Sequence, residues 1–195
     1  MPSIRLVSAL ALAAVLGARA APAQTFPVTT GTLEFQLGLA AIALPEEQDG
    51  AFSGEIEGRA GWFVREGIEL QAEAAARVYP LGSVAPKSYS GGVSALWFPR
   101  LGEVRALYLL GGLALQFLDY AGSTGIPNST SPVVVGAGGV KIPLEASGIP
   151  FLRGGHLTVE YRAEWIRLSA EAVDPVYGDR LDLQSGVSLG YSIFR

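Results

Sequence analysis

Between Phe52 and Val78 the sequence alternates apolar and polar residues in two runs joined by Arg65, Glu66 and Gly67. Phe52, Ile56, Ala60, Trp62 and Val64 share one parity, with Gly54 and Gly58 between them, while Ser53, Glu55, Glu57, Arg59 and Gly61 take the other. Past the turn, Ile68, Leu70, Ala72, Ala74, Ala76 and Val78 alternate with Glu69, Gln71, Glu73, Ala75 and Arg77. A period of two describes β-strands, and a three-residue loop ending in glycine is a common hairpin connection. One face of this hairpin is crowded with Glu and Arg, and the other is almost wholly apolar. A soluble sheet would hide the apolar face against a second layer. A barrel in lipid would turn it outward and enclose the charges.

The hairpin implies a register. If Val64 faces Ile68, the numbers of opposed residues sum to 132, so Arg59 faces Glu73 and Glu55 faces Arg77. Opposite charges paired across strands are what an enclosed lumen requires, because a buried charge must be compensated. A rival reading exists for the second run: Glu69, Glu73 and Arg77 also follow helical i, i+4 spacing, and its alanines favour helix. The unbroken even-numbered apolar series from Ile68 to Val78 favours strand.

Location follows from the N-terminus and the composition. Arg5, the apolar stretch Leu6 to Leu16 and the small residues Ala18, Ala20, Ala21 and Ala23 have the order of a secretory signal, with cleavage expected after Ala23. The apolar stretch is shorter than the roughly 20 residues of a membrane-spanning helix. The organisation expected is a signal peptide over 1–23 and a barrel over 24–195. Residues 1–23 contain Arg5 and Arg19 and no acid, so removal leaves 12 Lys+Arg against 18 acids, a net charge of −6. An acidic chain without a basic cluster argues against nucleic acid as a partner. The absence of cysteine excludes disulfides and thiolate metal sites. Export, 49% hydrophobic residues and no apolar run long enough for a membrane helix point together to the outer membrane of a Gram-negative cell.

Six further segments extend the alternation. Thr32 to Leu44 reads as a first strand, with Leu33, Phe35, Leu37 and Leu39 outward and Glu34 and Gln36 inward. Ser88 to Phe98 places Tyr89, Val93, Ala95 and Trp97 outward, and Val104 to Leu118 does so with Leu107, Leu109, Leu113, Leu115 and Phe117. Val133 to Leu144 is rich in glycine and ambiguous in phase; the phase adopted has Val134, Val140 and Ile142 outward and Lys141 inward. His156 to Leu168 sets Leu157, Val159, Tyr161, Ala163 and Trp165 against Thr158, Glu160, Arg162 and Glu164. Arg180 to Phe194 sets Leu181, Leu183, Val187, Leu189, Tyr191 and Ile193 against Asp182, Gln184, Gly186 and Ser188. The fold class expected is all-β, an eight-stranded antiparallel up-and-down transmembrane β-barrel. Its outward aromatics sort by height: Trp62, Trp97 and Tyr191 at the periplasmic end, Phe52, Tyr89, Phe117 and Trp165 at the extracellular end. Two such girdles mark the interfaces of a membrane barrel.

The export signal, the eight alternating segments, stretches such as Leu157 to Arg162 and a last strand ending in aromatics carry a resemblance. The chain resembles the small outer-membrane β-barrel family typified by the OmpA transmembrane domain and OmpX, over Gln24 to Arg195. The resemblance implies a porin-like integral membrane protein in the cell outer membrane. Its implied partners are outer-membrane lipid, lipopolysaccharide and the barrel-assembly machinery. Family members usually end in an outward aromatic, whereas here Phe194 is out of phase with Tyr191 and Ile193 and is followed by Arg195.

The inward charges Glu55, Glu57, Arg59, Glu69, Glu73, Arg77, Glu160, Arg162, Glu164 and Asp182 are expected to form a packed network closing the lumen. Eight strands leave an interior only wide enough for side chains. No catalytic, cofactor-binding or metal-binding residue stands out. His156 is the sole histidine, but it falls at the periplasmic end, away from the outer leaflet where lipid-modifying barrels work. Gly136 to Lys141 lacks the spacing of a phosphate loop. Asn128, Ser129 and Thr130 match a glycosylation sequon, and Glu46, Glu47, Asp49, Glu171, Asp174 and Asp179 make acidic outer loops. The expected protein is a monomeric, non-enzymatic barrel with a structural or surface-interaction role. A narrow pore or small-apolar-solute transporter and a lipid A-modifying enzyme are the alternatives. A lipocalin-like soluble carrier would need the opposite facing.

Overall fold

The structure is a computed structural model that describes residues 29–43, 52–78, 87–99, 107–119, 128–144, 154–168 and 180–195. These form eight strands: β1 (Leu33–Ala43), β2 (Phe52–Arg65), β3 (Ile68–Val78), β4 (Lys87–Trp97), β5 (Leu107–Asp119), β6 (Ser129–Pro143), β7 (Gly155–Leu168) and β8 (Arg180–Phe194). Each pairs antiparallel with its neighbours in sequence, and β8 returns to β1 to close the barrel. Closure leaves no strand edge unpaired. At the seam Glu34 lies opposite Phe194, and Leu33 and Arg195 exchange backbone hydrogen bonds of 2.7 and 2.8 Å. The segments expected as signal peptide and acidic outer loops lie outside the described residues.

The hairpin register is the one the alternation predicts through most of its length. Gly54 faces Val78, Glu55 faces Arg77, Arg59 faces Glu73 and Phe63 faces Glu69. It departs at the tip. The register shifts between Phe63 and Arg65, so Ile68 pairs with Arg65 rather than with Val64, and only Glu66 and Gly67 remain in the turn. Gly67 adopts a φ of +76°, a conformation that side chains other than glycine rarely take, and its carbonyl accepts a 2.9 Å bond from the Phe98 amide. One extra residue on β2 with a left-handed glycine beside it is how a bulged hairpin closes. β3 is a strand paired on both sides, which disposes of the helical alternative.

The outer wall is apolar. Leu37 is 70% exposed, and Leu39, Ile56, Val93, Leu113 and Leu115 stand out similarly, while Glu34 of β1 and Glu55, Glu57 and Arg59 of β2 are buried inside. β6 takes the phase read for it, with Val134 exposed and Lys141 buried. Val140 stands in the outward row, opposite Leu107 and Val159, yet is buried.

The interior departs from a uniformly charged face. Leu96 from β4 and Phe98 just beyond it, Tyr108, Leu110 and Ala114 from β5, Val133 and Val135 from β6 and Ile166 from β7 join Phe63 in one buried apolar cluster. The buried charges come from β1, β2, β3, β6 and β7, so the lumen holds an ionic group and an apolar cluster side by side.

Candidate functional site

The buried charges fall into two groups of side chains, and strand geometry alone does not decide who pairs with whom. Glu55 and Arg77, opposed on β2 and β3, do meet, at 2.6 Å. Arg59 and Glu73, equally opposed, stand 3.9 Å apart. Arg59 instead reaches from β2 to β7, where its two terminal nitrogens donate to Glu160 at 2.9 and 2.6 Å, and Nη2 also donates to Glu57 at 2.8 Å. The fork of a guanidinium matches the two oxygens of a carboxylate, so the bidentate partner holds it more strongly than the register partner. Tyr108 Oη adds a 2.7 Å bond to Glu160, and Ser188 Oγ donates to Glu57 at 2.6 Å.

Glu73 in turn accepts Arg162 from β7 at 2.7 Å, and Arg162 Nε reaches Glu164 at 2.8 Å. Arg77 spans from β3 to Glu164 on β7 at 2.8 Å and donates to Gln184 on β8 at 2.9 Å. In an eight-strand ring β3 and β7 are diametrically opposite. These bridges therefore cross the full width of the lumen.

The second group sits nearer the end that carries the termini. Lys141, fully buried on β6, pairs with both oxygens of Glu34 on β1 and stands 3.9 Å from Glu69. Its Nζ lies 5.6 Å from the ring centres of Phe98 and Phe194 and 5.5 Å from that of Tyr108. Three aromatic faces around one ammonium contribute cation–π attraction where water is excluded. Phe63 continues the aromatic group, 5.6 Å from Phe98 and 6.1 Å from Phe194. His156 meets Phe194 edge-on at 4.7 Å. Phe194, of the same parity as the inward Ser188 and Ser192, thus turns its ring into the lumen, where it joins an aromatic floor.

Two glycines make this packing possible. A Cβ on Gly139 would collide with the Tyr108 ring, so the bare backbone of β6 gives the phenol its route to Glu160. A Cβ on Gly61 would collide with the Glu69 carboxylate, which lies over that residue.

No protein-family model and no curated protein matches the sequence. Among solved structures, Neisserial surface protein A superimposes with a TM-score of 0.50 at 17% identity, over 83% of this chain and 95% of that one. The fold is that of the small outer-membrane β-barrels. The N-terminal β-barrel domain of OprF from Pseudomonas aeruginosa gives a TM-score of 0.49 at 15% identity, over 84% of this chain and 98% of that one. Ail, the attachment invasion locus protein of Yersinia pestis, gives 0.48 at 12% identity, over 86% and 100%.

The barrel brings nine of the ten charges singled out from sequence into its interior: Glu55, Glu57, Arg59, Glu69, Glu73, Arg77, Glu160, Arg162 and Glu164. The side chain of Asp182 lies outside the described residues; its backbone pairs with Ile166. Phe52, Trp62, Tyr89, Trp97, Phe117 and Trp165 are exposed on the outer wall, and Tyr191 is half-buried there with its ring over Gly155. Sequence reasoning gave Glu34 and Lys141 the right facing but left them and Tyr108 out of the network. Their partners are on β1, β6 and β7, 52 to 107 residues away, and alternation carries no signal at that range. His156 lies opposite Ser192 at the termini end. Among the described residues no group of three or more His, Cys, Asp and Glu is placed to hold a metal ion.

Proposed function

We propose that the chain is a monomeric integral protein of the outer membrane whose lumen is closed, and whose outer loops carry a structural or surface-interaction role. The observation that carries this reading is the inside-out distribution: large apolar side chains exposed all round the wall, and ion pairs buried within. Such a wall is unstable in water and matched to hydrocarbon. From Phe52 to Trp62, the outward aromatics that bound β2, ten residue steps at about 3.3 Å and a tilt of about 40° span roughly 25 Å, the height of a barrel's apolar band. Closure is supported by the bridges from β3 to β7 and by the aromatic floor of Phe63, Phe98, Tyr108 and Phe194. Ion-paired side chains that span the bore occupy the path a solute ion would need, and a ring of apolar side chains resists wetting.

Outer-membrane lipid and lipopolysaccharide would surround the wall, and the barrel-assembly machinery would insert it. Recognition of a partner would fall to the segments Asp119 to Ser131 and Ser169 to Asp179. Reconstitution in planar bilayers tests closure. The purified barrel is expected to give no steps above the baseline; reproducible single-channel steps would replace this reading with a narrow pore. The pore reading draws on one observation, the surplus of carboxylates over cations in the lumen.

A further inference from the structure

Six of the lumen's described carboxylates meet a cation within 2.8 Å: Glu34 at Lys141, Glu57 and Glu160 at Arg59, Glu55 at Arg77, and Glu73 and Glu164 at Arg162. Glu69 on β3 does not. Lys141 Nζ stands 3.9 Å from it, and that ammonium is already held by both oxygens of Glu34. Gln71 Nε2 donates to Glu69 Oε1 at 2.9 Å, while Oε2 is buried without a hydrogen-bond partner among the described residues.

Register explains how two acids come to one ammonium. Glu34 on β1 stands directly opposite Gly61 on β2. The Glu69 carboxylate lies in the space over Gly61 that a side chain there would fill. Opposed side chains begin about 5 Å apart, so the missing Cβ admits Glu69 beside Glu34. Their common neighbour Lys141 places the oxygens of the two acids inside the roughly 6 Å over which one carboxylate disfavours ionisation of another. Further round the bore, Tyr108 on β5, His156 on β7 and the pair Arg59 and Glu160 face the same end of the lumen. Arg59 is the permanent cation among these, and Glu57 and Glu160 hold it.

Two ionised carboxylates beside one buried ammonium leave a negative charge uncompensated, which is costly. One added proton removes that charge and turns Glu69 Oε2 from an acceptor without a donor into a donor. We propose that Glu34 and Glu69 hold one proton between them around Lys141, as a pH-sensitive latch that ties β1, β3 and β6 together near the termini end. With the proton in place Glu69 is a neutral acid and Glu34 is the counter-ion of Lys141. Loss of the proton at alkaline pH sets two like charges beside one ammonium, and their repulsion loosens the three strands at that point. The latch rests on the closed lumen proposed above, but its tests read protonation and stability. Channel steps in bilayers would overturn closure and leave the protonation result standing.

Infrared spectroscopy of the barrel refolded in detergent reads the proton, because the carbonyl band of a protonated carboxylic acid stands apart from those of carboxylates and amides. A component of that band is expected at neutral pH in the unaltered protein and should be missing from Glu69→Gln. It should be missing from Glu34→Gln too, where the remaining carboxylate ionises against Lys141. Urea unfolding in vesicles gives the linked result. In the unfolded chain both acids ionise above about pH 4.3, so the native barrel holds one proton more and its stability falls as pH rises. Relative to Glu69→Gln, the unfolding equilibrium constant of the unaltered protein should rise about tenfold per pH unit above that range, until the folded pair is itself stripped. Absence of the band component from the unaltered protein would overturn the proposal, as would parallel stability profiles. A component that survives Glu34→Gln would show a proton held by the burial of Glu69 alone, and would overturn the sharing. Failure of Glu69→Gln to fold would show that the site needs the second negative charge, which contradicts the latch.

Discussion

Arg59 shows how a side chain in a closed bore is settled by reach and shape more than by strand register. Its register partner, Glu73, is 3.9 Å away, while Glu160 on β7 takes both terminal nitrogens. Double-mutant cycles should therefore find strong coupling between Arg59 and Glu160 and weak coupling between Arg59 and Glu73. Glu160→Ala alone, by removing the bidentate partner of buried Arg59, is expected to cost about 3–5 kcal/mol, read from urea unfolding of the barrel refolded into vesicles. Glycines provide a second contrast at this scale. Gly139→Ala drives a methyl group into the Tyr108 ring, whereas a Cβ on outward Gly54 meets nothing within 4 Å. Gly139→Ala should lower the unfolding midpoint and change the near-ultraviolet circular dichroism of Tyr108, and Gly54→Ala should do neither.

At the scale of the element, each strand is a two-faced ribbon whose outer face meets one solvent and whose inner face meets another. Leu39 in β1 and Leu113 in β5 are exposed on the wall near the middle of their strands. Leu39→Arg and Leu113→Arg should each destabilise the barrel in bilayers by about 2–4 kcal/mol, the usual midplane penalty, measured by the same unfolding titration. How much could be read in advance varies strand by strand for a physical reason. β2, β3 and β7 declare their facing because charge alternates with apolar residues, and each strand fixes its own parity. β5 and β6 do not, since Leu110, Val133 and Val135 are as apolar as the residues facing out, and the apolar inner wall they build was not visible. The bulge that pairs Ile68 with Arg65 depends on the turn at Gly67, where a shift of one residue leaves the alternation of both strands intact. The ion pairs from β2 and β3 to β7 and from β1 to β6 join residues about a hundred positions apart, beyond any local pattern.

At the scale of the whole molecule, closure and inversion go together. A ring of eight strands leaves no edge to pair with another chain, and its interior is narrow enough for four cations and their carboxylates to meet across it. Phe194 belongs to this scale as well. It turns inward beside Phe63 and His156 at the end where β8 meets β1, so the strand that closes the ring also places an aromatic ring in the lumen. We propose that an apolar wall faces lipid around an ion-paired bore. Gel mobility of the outer-membrane fraction in SDS, boiled against unboiled, tests it most directly. A closed barrel is expected to resist SDS until heated, giving a compact, fast band that shifts to the position of the 20.4 kDa chain, or of its processed form, on boiling. A protein recovered in the soluble periplasmic fraction with the same mobility before and after boiling would contradict the account.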